Sequence, residues 1–328
     1  MPSRIAKALM IIKGALYSRY VFDNWFSLLI KFALTRLGFN VKLTARVGDC
    51  AFELGPEVFG CLVNGASRGL IKLIKCDDRD VFVIYTNEIQ VPIEEFEKSD
   101  AYAIDFAVKD GWVYDLTNGF WLKGNVRFRH MRGTVFQVFN EGDYEQLDVK
   151  GKVVIDVGAY IGDSAIYFAL KGARKVIAIE PHPGAFAEML DNIKLNNMEN
   201  VIIPINAGLA SKPGKICIKN VDVNIANVIY HRLGDCPNAV PATTFSELIS
   251  RFGVDPNDAV LKMDCEGCEF DVILNDYDHV RLFRELILEY HPRFVNKSVD
   301  DLLMTLSRDY KCEVRGGKDL GIIRCIRR

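Results

Sequence analysis

The sequence of 328 residues predicts an α/β fold with a mostly parallel sheet over residues 141–328. From residue 150 onward, apolar strand patterns alternate with helical patterns, an order that is typical of parallel strands with helices on both faces. Residues 152–157 form a nearly continuous apolar run, as expected of a strand buried on both faces. Two final runs, 311–315 and 321–326, flank a GlyGlyLysAsp turn and predict a terminal antiparallel pair.

The remaining elements of this region repeat the same alternation. Apolar runs predict strands at 176–180, 200–204, 259–264 and 285–290. Helical patterns predict helices at 164–170 and 185–193. Ligands of such sheets bind at the carboxyl ends of the strands, so the functional residues are expected there.

The first 140 residues predict two further parts. Residues 1–46 carry eight Lys or Arg against one acid, and apolar residues at helical spacing predict basic amphipathic helices at 3–17 and 25–33. These helices pack on their own protein or, alternatively, make peripheral contact with an anionic membrane surface. Residues 47–140 predict an α+β accessory domain, with strands at 81–85, 101–106 and 112–116.

Composition limits the class of protein. Hydrophobic residues make up 49% and charged residues 26%, which is typical of a soluble globular chain, and no apolar run is long enough for a transmembrane segment. The net charge of -2 argues against nucleic-acid binding through bulk charge. Nine cysteines without regular spacing favour free thiols in a reducing compartment. We therefore expect a cytoplasmic protein, with the inner membrane surface as the alternative site.

The first predicted strand ends in a DxGxxxG motif that predicts a nucleoside site on a Rossmann-like sheet. Gly158 lets the backbone approach a ligand, and Gly162 lets the next helix start close to the strand. The second strand ends in Glu180, followed by Pro181, where a carboxylate can accept hydrogen bonds from both ribose hydroxyls. Asn206 and Ala207 follow the third strand, near the expected adenine.

The charges around this turn favour S-adenosylmethionine over a nicotinamide cofactor. A dinucleotide site requires GxGxxG, so that backbone amides can bind a pyrophosphate. Here the turn carries Asp156 and Asp163 instead, which repel phosphate and suit an ammonium and a sulfonium. The turn residues Ala159 and Tyr160 are expected to contact the same ligand.

Residues of about 141–310 resemble the FkbM family of methyltransferases. The resemblance is carried by five blocks of sequence: 152–164, 178–183, 192–197, 261–269 and 288–291. It implies a class I methyltransferase fold, S-adenosylmethionine as the methyl donor, and O-methylation of a hydroxyl group, often on a sugar. It also implies that Glu141 and Tyr144 help to cover the cofactor. Cys265 and Cys268 stand where small or aliphatic residues are more typical of the family.

Catalytic candidates lie at the ends of the fourth and fifth strands. Transfer to an alcohol is helped by a base, and His291 is the first candidate near neutral pH, with Asp264 or Glu266 next. His291 could instead only end the strand, and Glu266 and Glu269 could cap the following helix. No metal is expected, although Asp264, Glu266 and Glu269 could hold Mg²⁺. Cys265 and Cys268 are expected to be small packing residues, with reversible oxidation of the pair as the alternative.

The tetrapeptide at the end of the fourth strand constrains the acceptor. AspCysGluGly stands where many amine methyltransferases carry an AsnProProTyr-like tetrapeptide, which disfavours a planar nitrogen acceptor. We therefore expect O-methylation of a sugar, glycan, glycolipid or related small molecule. One alternative is an RNA methyltransferase gripping its substrate with the N-terminus and the basic run 127–132. Another is a non-catalytic S-adenosylmethionine-binding protein.

Overall fold

The computed structural model describes residues 16–78, 80–218 and 230–328. They fall into two compact units, one ending at Phe136 and the other spanning Gln137–Arg328. The three-part division expected from the sequence, with boundaries after residues 46 and 140, stays a prediction.

The first unit combines short helices with small antiparallel sheets. Its described strands form a hairpin of β1 and β2, a sheet of β3, β4 and β5, and a sheet of β6, β7 and β8, with these bounds: β1 Leu43–Val47, β2 Cys50–Leu54, β3 Ile71–Asp77, β4 Asp80–Tyr85, β5 Gln90–Pro92, β6 Val113–Asp115, β7 Phe120–Lys123 and β8 Val126–Phe128. The described helices are Trp25–Arg36, Pro56–Ser67, Glu95–Lys98, Ala101–Lys109 and Gly133–Phe136. This mixture fits the predicted α+β character.

One element of this unit differs in type from the prediction. The segment predicted as a strand at 101–106 belongs to the helix Ala101–Lys109. Its Ile104, Ala107 and Val108 are buried at helical spacing, and the alanines favour the helix. The apparent alternation of the sequence was therefore misleading, because small residues fit both periods.

The basic run 127–132 is partly internal to the first unit. Phe128 on β8 is fully buried and packs against Trp112, with ring centroids 5.8 Å apart. Arg132 is also buried, and its guanidinium lies 3.7 Å from the Asp100 carboxylate. An RNA-binding run needs its aromatic exposed for stacking, so this placement favours a structural role.

The predicted N-terminal helices are only partly described. The helix expected at 25–33 is present as Trp25–Arg36 and buries Leu28. The one expected at 3–17 lies outside the described residues, apart from its last two. Within the described ranges, no helix is long and apolar enough to span a bilayer. Peripheral membrane contact stays a prediction.

The second unit is built on a seven-stranded sheet with the order β11-β10-β9-β16-β17-β19-β18. Its strands are β9 Val153–Val157, β10 Lys175–Ile179, β11 Ile202–Ile205, β16 Ala259–Met263, β17 Glu285–Tyr290, β18 Tyr310–Gly316 and β19 Gly321–Arg327. Neighbouring strands from β11 to β17 are parallel, while β19 pairs antiparallel with β17 and β18. The predicted Rossmann-like sheet with an antiparallel terminal pair is confirmed.

The central strands are apolar on both faces because helices cover both. Every residue of β9 and of β16 is buried. The helices and helical turns of this unit are Gln137–Glu141, Asp163–Leu170, Pro183–Leu195, Phe245–Phe252, Pro256–Asp258, Cys268–Asn275, Tyr277–Val280, Pro292–Val295 and Val299–Leu306. The order 3-2-1-4-5 of the parallel strands places the ends of β9, β10, β16 and β17 at one edge.

A second sheet of this unit was not predicted. It has the order β12-β15-β13-β14, with β12 Gly208–Leu209, β13 Gly214–Ile218, β14 Tyr230–Leu233 and β15 Ala239–Thr243. Its small core contains Ala210, Ile216, Ile218 and Ala242. Short strands of this kind carry too little apolar periodicity to be recognised in a sequence.

The cysteines also differ from the prediction. Eight of the nine form disulfides, namely Cys50–Cys76, Cys217–Cys236, Cys265–Cys268 and Cys312–Cys325. Cys61 is buried and free. Cys265 and Cys268 are therefore joined in a disulfide, the alternative considered from the sequence, and are not free packing residues. With eight paired cysteines, the cysteine content no longer favours a reducing compartment. Cysteines pair when the fold brings their Cα atoms close together, and this proximity cannot be read from their spacing in the sequence.

Candidate cofactor and active site

The turn after β9 closely approaches the end of β16. Gly158 has φ +73°, and a Cβ there would lie 1.7 Å from the carbonyl oxygen of Asp264. Gly162 has φ +85°, and a Cβ there would lie 2.9 Å from Cγ of Met189. Both positions therefore require glycine, the first for contact with the fourth strand and the second for helix packing.

Glu180 at the end of β10 holds this turn. Its buried carboxylate accepts hydrogen bonds from the backbone N–H of Tyr160 at 2.8 Å and of His182 at 2.7 Å. Tyr160 has φ +47°, a conformation that a non-glycine residue adopts only when its surroundings enforce it. Asn206 donates from Nδ2 to the carbonyl oxygens of Glu180 at 2.9 Å and Pro181 at 3.2 Å.

These contacts bring most of the predicted cofactor residues together. The backbone N–H of Ala159 donates to the Ile179 carbonyl at 3.0 Å, which fixes the turn to β10. Ala207 is buried beside Asn206. The Tyr144 hydroxyl donates to the Asp264 carboxylate at 3.1 Å, so the segment before β9 reaches the end of β16.

Asp156 has a different environment from the one expected. Its fully buried carboxylate lies 3.0 Å from Nζ of Lys262 and accepts a hydrogen bond from the Ser164 hydroxyl at 2.7 Å. Through these partners, the Asp156 carboxylate is linked to Lys262 of β16 and to Ser164 at the start of the following helix. Asp163 is also buried, and its Oδ1 accepts from the Ser164 N–H at 2.9 Å at the start of the helix. Both aspartates are buried, and their direct contact with the cofactor stays a prediction.

Lys262 is a residue that sequence reasoning missed. It is buried in β16, and its Nζ also donates to the Gly158 carbonyl at 2.8 Å. Burial lowers its pKa, but the carboxylates of Asp156 and Asp264 outweigh this and raise the pKa above its usual value. The sequence contains a signal for this residue, since Lys262 is a lysine within the otherwise apolar strand β16. A buried charge requires a partner of opposite charge, which predicts a nearby carboxylate.

The second cluster surrounds His291, where β17 ends. The backbone N–H of His291 donates to the Glu269 carboxylate at 2.8 Å, and its Nδ1 lies 3.4 Å from the same group. Its Nε2 lies 3.4 Å from Glu289 and 3.7 Å from Glu266. The sequence predicted His291 and Glu266 at one site, and the structure adds Glu289 as a direct neighbour.

The charges of this cluster change the predicted role of the histidine. Burial lowers the pKa of His291, but hydrogen bonds to Glu269 and Glu289 raise it to about 11. Burial raises the pKa of Glu266 to about 7, although His291 lowers it, and burial also raises the pKa of Glu289. An imidazolium has no lone pair for a proton, so the carboxylates suit a base better than His291 does.

Two groups of side chains in this region bring together atoms of the kinds that bind metal ions. Asp264, Glu289 and His291 place ligand atoms within 4.8 Å of one another, as do Cys265, Cys268 and Glu269. The cysteines of the second group are bound to each other. Glu269 accepts from the backbone N–H of Gly267 at 2.9 Å as well as from His291. Of the three carboxylates considered for Mg²⁺ from the sequence, Glu269 is therefore already hydrogen-bonded to backbone N–H groups. We propose no metal.

Residues 156–312 match the family described as the methyltransferase FkbM domain. The match lies within the second unit of the chain. The match runs from the end of β9 to the start of β18 and includes the Gly158 turn, Glu180 and the His291 cluster. The resemblance stated from the sequence is confirmed, and with it the coarser prediction of a methyltransferase.

Two curated proteins are similar to parts of the chain. The hexuronic acid methyltransferase AglP of Haloferax volcanii is 26% identical over 227 residues, which are 69% of this chain and 85% of that protein. The ribosomal protein L11 methyltransferase of Carboxydothermus hydrogenoformans is 40% identical over 79 residues, which are 24% of this chain and 25% of that protein. The first similarity extends well beyond the FkbM domain core.

Solved methyltransferase structures match parts of the chain at low similarity. Magnesium protoporphyrin IX methyltransferase from Synechocystis PCC 6803, solved with bound SAM, is 14% identical with a TM-score of 0.35, covering 60% of this chain and 76% of that one. TrmK of M. capricolum, in complex with S-adenosyl-homocysteine, is 11% identical with a TM-score of 0.36, covering 57% and 66%. The strand order of the FkbM domain itself carries the fold assignment.

Proposed function

We propose that this chain is an S-adenosylmethionine-dependent methyltransferase that methylates a hydroxyl group of a sugar-containing acceptor. The observation that supports this most directly is the contact of Gly158 with the Asp264 carbonyl. Through it, the turn expected to bind the nucleoside meets the strand end that carries the carboxylates.

The residues present suit this cofactor. The glycine at position 158 lets the turn after β9 pack against the Asp264 carbonyl, and the Glu180 carboxylate lies at the end of β10, where a ribose is bound in folds of this kind. Asn206 and Ala207 follow β11 and line a neighbouring cavity together with Ser246 and Arg251. We propose Glu180 for the ribose hydroxyls and this third strand end for the adenine.

The chain's own residues would then serve the acceptor. The bound cofactor supplies an electrophilic methyl group. Asp264, Glu266 and Glu289 are carboxylates able to take the hydroxyl proton, and the positive charge of His291 lowers the pKa of Glu266 and of Glu289 against the effect of burial. A positioned base contributes typically 10²–10⁴ in rate. Tyr144 orients Asp264 through its hydroxyl.

The sugar acceptor is supported by the similarity to a hexuronic acid methyltransferase. The RNA alternative is less favoured because Phe128 of the basic run is buried. A non-catalytic binding protein would have no need for a carboxylate cluster beside the cofactor turn in which burial raises the pKa of Glu266 to about 7. The cytoplasmic location stays a prediction.

A cofactor titration tests the proposal. Glu180→Ala should weaken S-adenosylmethionine binding roughly ten- to a hundredfold in calorimetry, because a charged hydrogen bond contributes about 1.5–3 kcal/mol. Glu199→Ala removes an exposed carboxylate from the same unit and should leave the affinity unchanged. Glu180→Gln keeps one oxygen that can accept a hydrogen bond from the turn. It is the control for affinity that is lost only because the turn is disrupted. Wild-type affinity in Glu180→Ala, or no binding by the wild-type chain, would contradict the proposal.

A further inference from the structure

A cavity of about 380 Å³ lies on the sheet beside the His291 cluster. Its floor consists of two cross-strand rows, since Glu289 on β17 faces Ile322 on β19 and Ile322 faces Arg315 on β18. The second row is Ile287, Arg324 and Glu313. Its wall includes Glu141 and Asp143, from the segment before β9.

Glu289 joins this cavity to the proposed active site. Its carboxylate lines the cavity and lies 3.4 Å from Nε2 of His291. Burial, Glu289, Glu141 and Asp264 together raise the pKa of Asp143 to about 6. A ligand in the cavity therefore lies directly beside the carboxylates that we propose to take the proton.

The two arginines of the cavity are in different situations. Arg324 is engaged by Glu285, with Nε at 3.0 Å and Nη2 at 2.6 Å from one carboxylate oxygen. Arg315 is exposed and has no ion pair in the described part of the chain. A guanidinium presents a planar fork of donors that matches a carboxylate. Arg315 is thus the group in this cavity that can bind an anion on a ligand.

The rest of the lining specifies the ligand further. Four carboxylates line the cavity, on Glu141, Asp143, Glu289 and Glu313, and each accepts hydrogen bonds. No aromatic side chain is among the described residues of the lining, so the cavity offers no stacking surface for a nucleobase. Excess negative charge also disfavours a ligand with several phosphates. A saturated ring with several hydroxyl groups and a single anionic group satisfies all of these conditions.

We propose that this cavity is the acceptor subsite and binds a hexuronic acid unit, with Arg315 holding the sugar carboxylate and Glu289 facing a ring hydroxyl. The inference rests on the proposed methyltransferase function and adds to it the location and the charge of the acceptor. Arg315 is a specificity residue in this arrangement, since it distinguishes an acidic sugar from its neutral counterpart. Its effect should therefore appear in acceptor choice and not in cofactor affinity.

The test compares two probes, methyl β-D-glucuronide and methyl β-D-glucoside, titrated into the full chain with and without S-adenosylhomocysteine. The wild-type chain should bind the glucuronide roughly ten- to a hundredfold more tightly than the glucoside. Arg315→Gln should reduce this ratio to near one. Lys311→Gln is the matched control, because Lys311 lies on the same face of β18, carries the same charge and does not line the cavity.

The outcomes separate this inference from the proposed function. Equal binding of both probes, a preference for the glucoside, no binding of either, or a ratio that Arg315→Gln leaves intact would each overturn the inference. Equal loss in Lys311→Gln would do the same, since it would indicate general attraction of an anion. If the methyltransferase proposal fails, the chain will not bind S-adenosylmethionine. The glucuronide titration without cofactor does not depend on that binding, so the two failures can be told apart.

Discussion

At the scale of single residues, the charge of His291 decides how the carboxylate cluster works. The imidazole is nearly buried, and three glutamates approach its two ring nitrogens. Its positive charge lowers the pKa of Glu266 and of Glu289, both of which burial raises. Removing that charge should therefore make both carboxylates harder to ionise.

The pH dependence expected of His291→Gln reflects this coupling. Activity falls at low pH as the carboxylates protonate, and in the variant this fall should occur at higher pH than in the wild type. If the pKa of Glu266 moves from about 7 to about 8, the rate at pH 7 falls roughly fivefold, while activity at pH 9 recovers towards the wild-type value. The measurement is kcat/KM against pH with labelled methyl donor.

His279→Gln is the control for this profile. His279 pairs with Asp276 at the start of a short helix, away from the carboxylates. We expect its profile to match the wild type. An activity lost at every pH in His291→Gln would show instead that the imidazole is itself the base, as the sequence first suggested.

Sequence reasoning located this cluster and missed its charge state. Asp264, Glu266 and His291 were predictable, because acids and a histidine at neighbouring strand ends converge. The charge of His291 depends on Glu269, which reaches it from the helix Cys268–Asn275. That contact is set by tertiary packing and has no signature in the spacing of the residues.

At the scale of elements, the turn after β9 should tolerate no side chain at Gly158. Gly158 and Gly151 both have φ +73°, but a Cβ at Gly151 would meet nothing within 4 Å. Alanine should therefore cost about 1–2 kcal/mol of backbone strain at either position. At Gly158, the clash with the Asp264 carbonyl should add about 1–3 kcal/mol.

Chemical denaturation of the two variants measures these costs, and calorimetry gives the cofactor affinity. Gly151→Ala should keep wild-type affinity, while Gly158→Ala should lose most of it. Equal stabilities for the two variants would show that the turn moves aside easily. The close approach of β9 to β16 would then not be a fixed feature of the site.

The elements differ in how well their sequences predicted them. β9, β16 and β17 were predictable because they are mostly apolar and lie between helices. The helix Ala101–Lys109 was taken for a strand, since AlaTyrAlaIleAspPhe alternates in polarity over a short window. The sheet of β12 to β15 was missed because strands as short as Gly208–Leu209 depend on their partners.

At the scale of the whole molecule, the cysteine pairing can be counted. Iodoacetamide applied to the denatured, unreduced chain should add one carbamidomethyl group, at Cys61, and after reduction nine. Intact mass spectrometry reads both numbers. Cys61→Ala should give none before reduction and eight after it. Several carbamidomethyl groups before reduction would contradict the disulfides and support the free thiols predicted from the sequence.

The bond between Cys265 and Cys268 closes the turn that carries Glu266 and ends at Glu269. Dithiothreitol in a storage buffer would open that ring and leave a free Cys265 sulfhydryl 3.3 Å from the carboxylate of Glu269, which also accepts from the His291 N–H. Batches purified with and without reductant are then chemically distinct catalysts, and rate constants from them belong in separate data sets.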